Sequence, residues 1–124
     1  MSTQRTVKIP GPDHPITIEV AQGRVKVIAA GQIIAESRNA LSLQEAAYPP
    51  VLYIPRTDVN MALLERSDHT TYCPYKGECN YYSISSSGSD KAVWTYEEPF
   101  AAVAAIRDHL AFYPDRVDQI LIED

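Results

Sequence analysis

The sequence predicts a mainly β domain with short helices. Segments such as Ile16–Val20 alternate apolar and polar residues with period two, as half-buried strands do. Glycine-containing turns separate these segments at short intervals. One helix is expected near Phe100–Leu110, where apolar residues fall at helical spacing.

The chain has 124 residues, 45% hydrophobic and 22% charged, which suits one soluble globular domain with a single core. Residues 1–15 read as an extended, poorly ordered arm, because Pro10, Pro12 and Pro15 remove backbone donors and favour extended or turn conformations. Residues 16–124 read as the domain, with no internal repeat, dividing linker or heptad run. The net charge of −5 gives no basic field of the kind a general nucleic-acid binder needs, although it does not exclude a local basic pocket. The start lacks the apolar core of a signal peptide. The run VKVIAAGQII is interrupted by Lys26, Gly31 and Gln32 and is too short for a bilayer. A cytoplasmic location is therefore expected, with no membrane partner, and Cys73 and Cys79 are read as thiols. The sequence carries no signal for oligomeric state.

In order, Ile16–Val20, Val25–Ile28 and Ile33–Ser37 are expected to form a β-meander through turns at residues 21–24 and 31–32. Residues 39–47 mix helix and strand preferences and read as an edge strand, ended by Tyr48-Pro49-Pro50. Val51–Ile54 is a buried strand stopped by Pro55. Thr57 or Asp58 can cap a short helix running to Leu64, with Val59, Ala62 and Leu63 inward. His69–Tyr72 is β-prone, residues 73–78 form a tight loop in which Gly77 supplies a positive φ, and Asn80–Ile84 is a strand. A flexible tip at residues 85–90 leads to a partner strand, Ala92–Tyr96. Glu97-Glu98-Pro99 opens a helix that buries Phe100, Val103, Ile106 and Leu110 and ends before Pro114. Residues 117–122 form a last strand or a docked tail.

The stretch from His69 to Ser83, HTTYCPYKGECNYYS, holds both cysteines and is the first place to seek chemistry. A structural zinc site needs four ligands. Two cysteines, with His69 and Asp68 as the only neighbours to complete the set, match no zinc knuckle, so no metal and no cofactor is expected. Cys79 reads as a small buried residue. Cys73 reads as a candidate reactive thiol, with Lys76 three residues away to favour the thiolate. His69 and Cys73 on one strand would be separated by roughly 13 Å, too far for a dyad. A two-thiol couple requires the loop to bring the sulfurs together. Arg56, Arg66 and Lys76 around Thr70 and Thr71 have the chemistry of an anion site. No Walker or GxGxxG motif accompanies them. Tyr72, Tyr75, Tyr81, Tyr82, Trp94 and Tyr96 come from adjacent strands and their loop. They serve either as cross-strand sheet pairs or as the lining of a pocket for a flat ligand. Alternation puts Tyr82 with Ile84 on one face and Tyr81 with Ser83 on the other.

The segments YPPVLYIPRTDV, HTTYCPYKGECNYYSI, AVWTYEEPF and AFYPDRVD closely resemble the family known as domain of unknown function 427, over about Val25 to Asp118. The resemblance implies a β-tent-like fold of small, coiled antiparallel sheets, as in methionine sulfoxide reductase B. It also implies a pattern that includes Tyr53, Pro55, Arg56, Asp58, His69 or a nearby Thr, Cys73, Pro74, Lys76, Gly77, Tyr81, Trp94, Tyr96, Pro99 and the Phe112–Tyr113 pair. Cys79 stands where relatives resemble one another in having a small residue, which leaves Cys73 as the thiol of interest. The reductases' two CxxC zinc pairs are absent, so their activity is not implied. A nucleotidyltransferase label attached to the family finds no GS element with paired acids here.

The expectation is a domain that binds a small anionic or aromatic ligand around the CPYKG loop, through Tyr53, Arg56, Thr70, Cys73, Lys76, Tyr81, Trp94 and Tyr96. Two alternatives stand beside it. One is an enzyme with Cys73 as nucleophile or redox thiol and Lys76 as its activator. The other is an interaction module using exposed Tyr and Trp side chains. The residues leave open whether the chain is an enzyme.

Overall fold

The computed structural model describes residues 5–124. The described residues are mainly β, with ten strands: β1 (Ile16–Val20), β2 (Arg24–Ala29), β3 (Gln32–Ser37), β4 (Leu41–Glu45), β5 (Val51–Pro55), β6 (Leu64–Cys73), β7 (Gly77–Ile84), β8 (Ser89–Thr95), β9 (His109–Phe112) and β10 (Gln119–Glu123). They form a seven-stranded sheet, β1-β4-β5-β9-β8-β7-β6, and a three-stranded sheet, β10-β2-β3, both antiparallel.

The large sheet buries both faces, and side-chain alternation sorts them. Ile54, Tyr82, Ile84, Val93, Leu110 and Phe112 pack against Val25, Val27, Ala29 and Ile34 of the small sheet. Leu43, Tyr53, Cys79, Tyr96 and Ala111 lie on the opposite face with Ile16, Ile18, Leu41, Val51, Tyr81 and Trp94. Neighbours two apart on a strand share a face, so Tyr53 and Ile54, or Trp94 and Val93, serve different cores.

The expected β-meander does not form. β2 and β3 make a hairpin, but β1 pairs with β4 and β2 takes β10 as its other neighbour. Ile16 and Ile18 belong to one core and Val25 and Val27 to the other, so the chain must cross between sheets at residues 21–23. Gly23 makes the crossing with φ +84, and a Cβ there would be driven into the Glu123 carbonyl of β10. The 39–47 segment is a strand, but an interior one, flanked by β1 and β5. The helix expected to follow Asp58 is two 3-10 turns, Arg56–Asp58 and Met61–Leu63, with no side-chain cap. Asp58 instead accepts a 2.5 Å hydrogen bond from the Ser37 hydroxyl. Val59 is inward as expected, and Ala62 is exposed.

The expected helix near Phe100–Leu110 is confined to 3-10 turns over Ala101–Ile106, interrupted at Val103 (φ −125). Val103 and Ile106 enter one core and Leu110 the other, so no single helical face could serve all three. Asp108 takes φ +56 and the chain turns into β9. Of the arm expected at residues 1–15, positions 1–4 lie outside the described residues. The remainder is held rather than loose. Lys8 N–H donates to the Pro74 carbonyl (2.9 Å), the Tyr72 hydroxyl donates to the Thr6 carbonyl (2.6 Å), and Arg5 pairs with Glu78 (3.1 Å). No helix among the described residues is long and apolar enough to cross a membrane.

Candidate functional site: a tyrosine-lined cleft beneath the CPYKG turn

The CPYKG segment is the turn between β6 and β7. Lys76 N–H closes it on the Cys73 carbonyl (3.2 Å), and Gly77 leaves it at φ +114. The segment carrying Glu98, Pro99 and Phe100 lies against Gly77, and Phe100 N–H donates to the Lys76 carbonyl (3.0 Å). This pins the backbone of Lys76 and sends its side chain inward, where only 11% of it is exposed.

There the Lys76 ammonium bonds to the Glu45 carboxylate, which projects from the end of β4 on the face of Leu41 and Leu43. Glu45 also takes the His14 ring nitrogen at 2.8 Å, and His14 stacks on Tyr75 of the turn (4.1 Å between centroids, 8° between planes). The cluster ties strand β4, the residues before β1 and the β6–β7 turn together. Burial pushes the Glu45 carboxyl up, but its bonds to Lys76 and His14 outweigh that and hold it below the ordinary carboxylate range.

Beside this pair is a cleft of about 290 Å³ lined by five tyrosines, Tyr48, Tyr53, Tyr81, Tyr96 and Tyr113, together with Trp94, Cys79, Leu43, Pro49 and Val51. The Trp94 indole N–H donates to the Tyr53 hydroxyl (3.2 Å), with the rings edge to face, and Tyr113 lies 4.4 Å from the Trp94 ring centre. Tyr81 and Thr71 share a 2.9 Å hydrogen bond between hydroxyls. The Lys76 ammonium sits 5.8 Å from the Tyr96 ring centre. Burial raises the phenols of Tyr53, Tyr81 and Tyr96 well above the ordinary tyrosine range, so all three hold their protons into more alkaline solution than a free phenol does. Burial also raises the Cys79 thiol, against hydrogen bonding from Tyr81, Tyr96 and Thr71. The cleft is therefore aromatic-walled and rich in neutral O–H groups, and its one ammonium is compensated.

Of the residues expected at the site, Tyr53, Lys76, Tyr81, Trp94 and Tyr96 line this cleft together. Cys73 packs, half-buried, against the same aromatic cluster without lining the cleft. It stands opposite Gly77, with Cys79 opposite Thr71, so the two free thiols are diagonal neighbours rather than a directly opposed pair. Thr70 is exposed on β6 opposite Asn80. Arg56 lies elsewhere: its guanidinium donates to the Tyr82 hydroxyl (3.2 Å), on the other face of β7 from Tyr81. Arg66 donates to the same hydroxyl (3.1 Å) and grips Glu97 with both nitrogens (2.8 and 3.1 Å). The anion cluster expected from Arg56, Arg66 and Lys76 is thus divided between two faces of one sheet. His69 lies 5.0 Å from the Tyr81 ring, not against Cys73. Among the described residues, no group of three or more His, Cys, Asp or Glu side chains converges as a metal site would require.

Glu45, His14 and Tyr48 are not among the residues the sequence points to, Tyr113 is present there only in the family pattern, and Cys79 lines the cleft although its sequence context marks it as a small buried residue. Glu45 had a legible signal, since it continues the inward alternation of Leu41 and Leu43. His14 had none, because its partner lies 31 residues away.

These features define a mainly β domain whose large sheet carries an aromatic cleft closed on one side by a Lys–Glu–His cluster. The chain belongs to the family described as domain of unknown function 427 (DUF427), whose sequence profile matches residues 17–123. No functionally curated protein matches the sequence.

Proposed function

We propose that the cleft binds a small, flat aromatic molecule with hydrogen-bonding groups at its edge. The convergence of Trp94 with five tyrosines around one concave space carries this reading. Aromatic walls favour stacking, and protonated hydroxyls offer directional donors and acceptors that fix orientation. A neutral or weakly charged ligand fits better than a strong anion. The Lys76 charge is already matched by Glu45, and Arg56 does not face the cleft. The enzymatic alternative, with Cys73 activated by Lys76, loses its activator to the same ion pair.

The test is thermal unfolding in the presence of a panel of one- and two-ring heteroaromatics, with wild type and Tyr113→Ala side by side. Ligand saturating at one hundred times its Kd stabilises the folded state by about 2.7 kcal/mol. At least one compound should raise the melting temperature of the wild type and raise that of Tyr113→Ala less. A panel without effect, or equal shifts in both proteins, would count against the cleft as the site.

A further inference from the structure

The large sheet is not closed along its whole length. Among the described residues, β5 and β9 pair only through Ile54↔Leu110 and Pro55↔His109. Continuing that register would set Tyr53 opposite Ala111 and Leu52 opposite Phe112, and neither pair forms. Each strand stays paired on its other side, to β4 and to β8. The parting leaves a slot of about 340 Å³ whose walls include Leu52, Ile54, Phe112 and, from the small sheet, Val27 and Ile120. Pro50 and Pro114 stand at the ends of the parted strands, and neither has an N–H with which to extend the ladder and close the gap.

Trp94 and Val51 line both this slot and the tyrosine cleft. Trp94 is paired with Ala111, whose small side chain lets the indole lie across the split and reach Tyr53 on β5. The two spaces therefore meet at one indole ring, and they differ in chemistry. One is edged with hydroxyls. Among the described residues, the other has no charged side chain in its lining, and its only side-chain donor is the indole N–H, already bonded to Tyr53.

We infer that the ligand is amphipathic: an aromatic, hydrogen-bonding head in the cleft and a hydrocarbon chain in the slot, as in an alkyl-substituted phenol. This rests on the reading of the cleft given above and specifies the ligand class. An apolar chain fits the slot because water there would find few polar partners, whereas each methylene removed from water adds affinity.

The test titrates phenol, 4-ethylphenol, 4-butylphenol and 4-hexylphenol against Trp94 fluorescence, which has no other tryptophan to obscure it. Wild type is compared with Ile120→Phe and Leu52→Phe, which fill the slot from opposite walls and leave the cleft untouched; the second keeps the test intact if the first does not fold. Affinity should rise about fourfold per methylene until the slot is full. Either variant should keep the phenol affinity and lose the rise. Phenol binding with no gain along the series would overturn the slot and leave the cleft standing. A gain that persists unchanged in both variants would also overturn it. Saturable binding by no member of the series would remove the slot together with a cleft that accepts phenolic heads.

Discussion

At the residue scale, the Lys76–Glu45 pair makes the sharpest demand. Both side chains are mostly buried, at 11% and 17% exposure. Removing one partner leaves a charge without its match, which costs roughly 3–5 kcal/mol for a buried pair and less where some water reaches it. Lys76→Met should therefore destabilise strongly, and Glu45→Gln/Lys76→Met should be more stable than the sum of the single changes predicts. Urea unfolding of the four proteins in a double-mutant cycle measures the coupling. Additive effects would show that the pair does not act as a unit. Gly77 makes a separate demand. At φ +114, with the Glu98 carbonyl 3.4 Å from where a Cβ would stand, Gly77→Ala should cost about 1–3 kcal/mol in the same assay. The residue identities here were legible in part. Lys76 and Gly77 announce themselves as a turn, but the acid that receives the lysine lies on another strand, and sequence spacing carries no distance across a sheet.

At the scale of elements, strands were more legible than their pairings. Period-two alternation marks β1 and the Leu41–Leu43 part of β4, while a continuous apolar run ended by Pro55 marks β5 and aromatic or β-branched residues mark β7 and β8. Neighbourhood is another matter: β1 and β2 follow one another yet serve opposite cores. The segment after Pro99 shows the same limit. Its apolar residues fall at helical spacing, but Val103 and Ile106 on one side of the sheet and Leu110 on the other exclude one continuous helix. The site followed this rule. Tyr53, Tyr81, Trp94 and Tyr96 come together because alternation turns them to one face, and Lys76 joins them from the β6–β7 turn, whereas Arg56 lies beyond Pro55 and turns away. β10 offers an element-scale test. It supplies the second neighbour of β2 and packs its end over Gly23. Gly23→Ala, which forces a side chain into the Glu123 carbonyl, should loosen that edge. Hydrogen exchange should then speed at β2 and β10 amides and not at β7 and β8 amides. Uniform acceleration across both sheets would contradict the local account.

For the whole molecule, stability should fall at both ends of the pH scale, for different reasons. Glu45 and Glu97 have carboxyls held down in the folded state, by Lys76 and His14 acting against burial and by Arg66, respectively. Their contribution is complete above the unfolded carboxylate value, about 4.3, and is lost as pH falls through the lower folded values. Tyr53, Tyr81 and Tyr96 are shifted the other way by burial, so the folded state holds their protons longer. That contribution is complete below about pH 10 and is lost as pH rises beyond it. Urea midpoints across pH should show both declines, with Glu45→Gln flattening the acid limb alone.

A ligand held in the tyrosine-lined cleft must lie beside Trp94. The chain has one tryptophan, so a nitrogen–proton spectrum contains a single indole signal, from an N–H that donates to Tyr53 inside the cleft. Following that signal while adding an aromatic binder found by thermal unfolding reads the site directly. Binding in the cleft should give a saturable shift of the Trp94 indole together with amides of Lys76, Tyr81 and Tyr96. Binding that leaves these signals in place and moves others would contradict it.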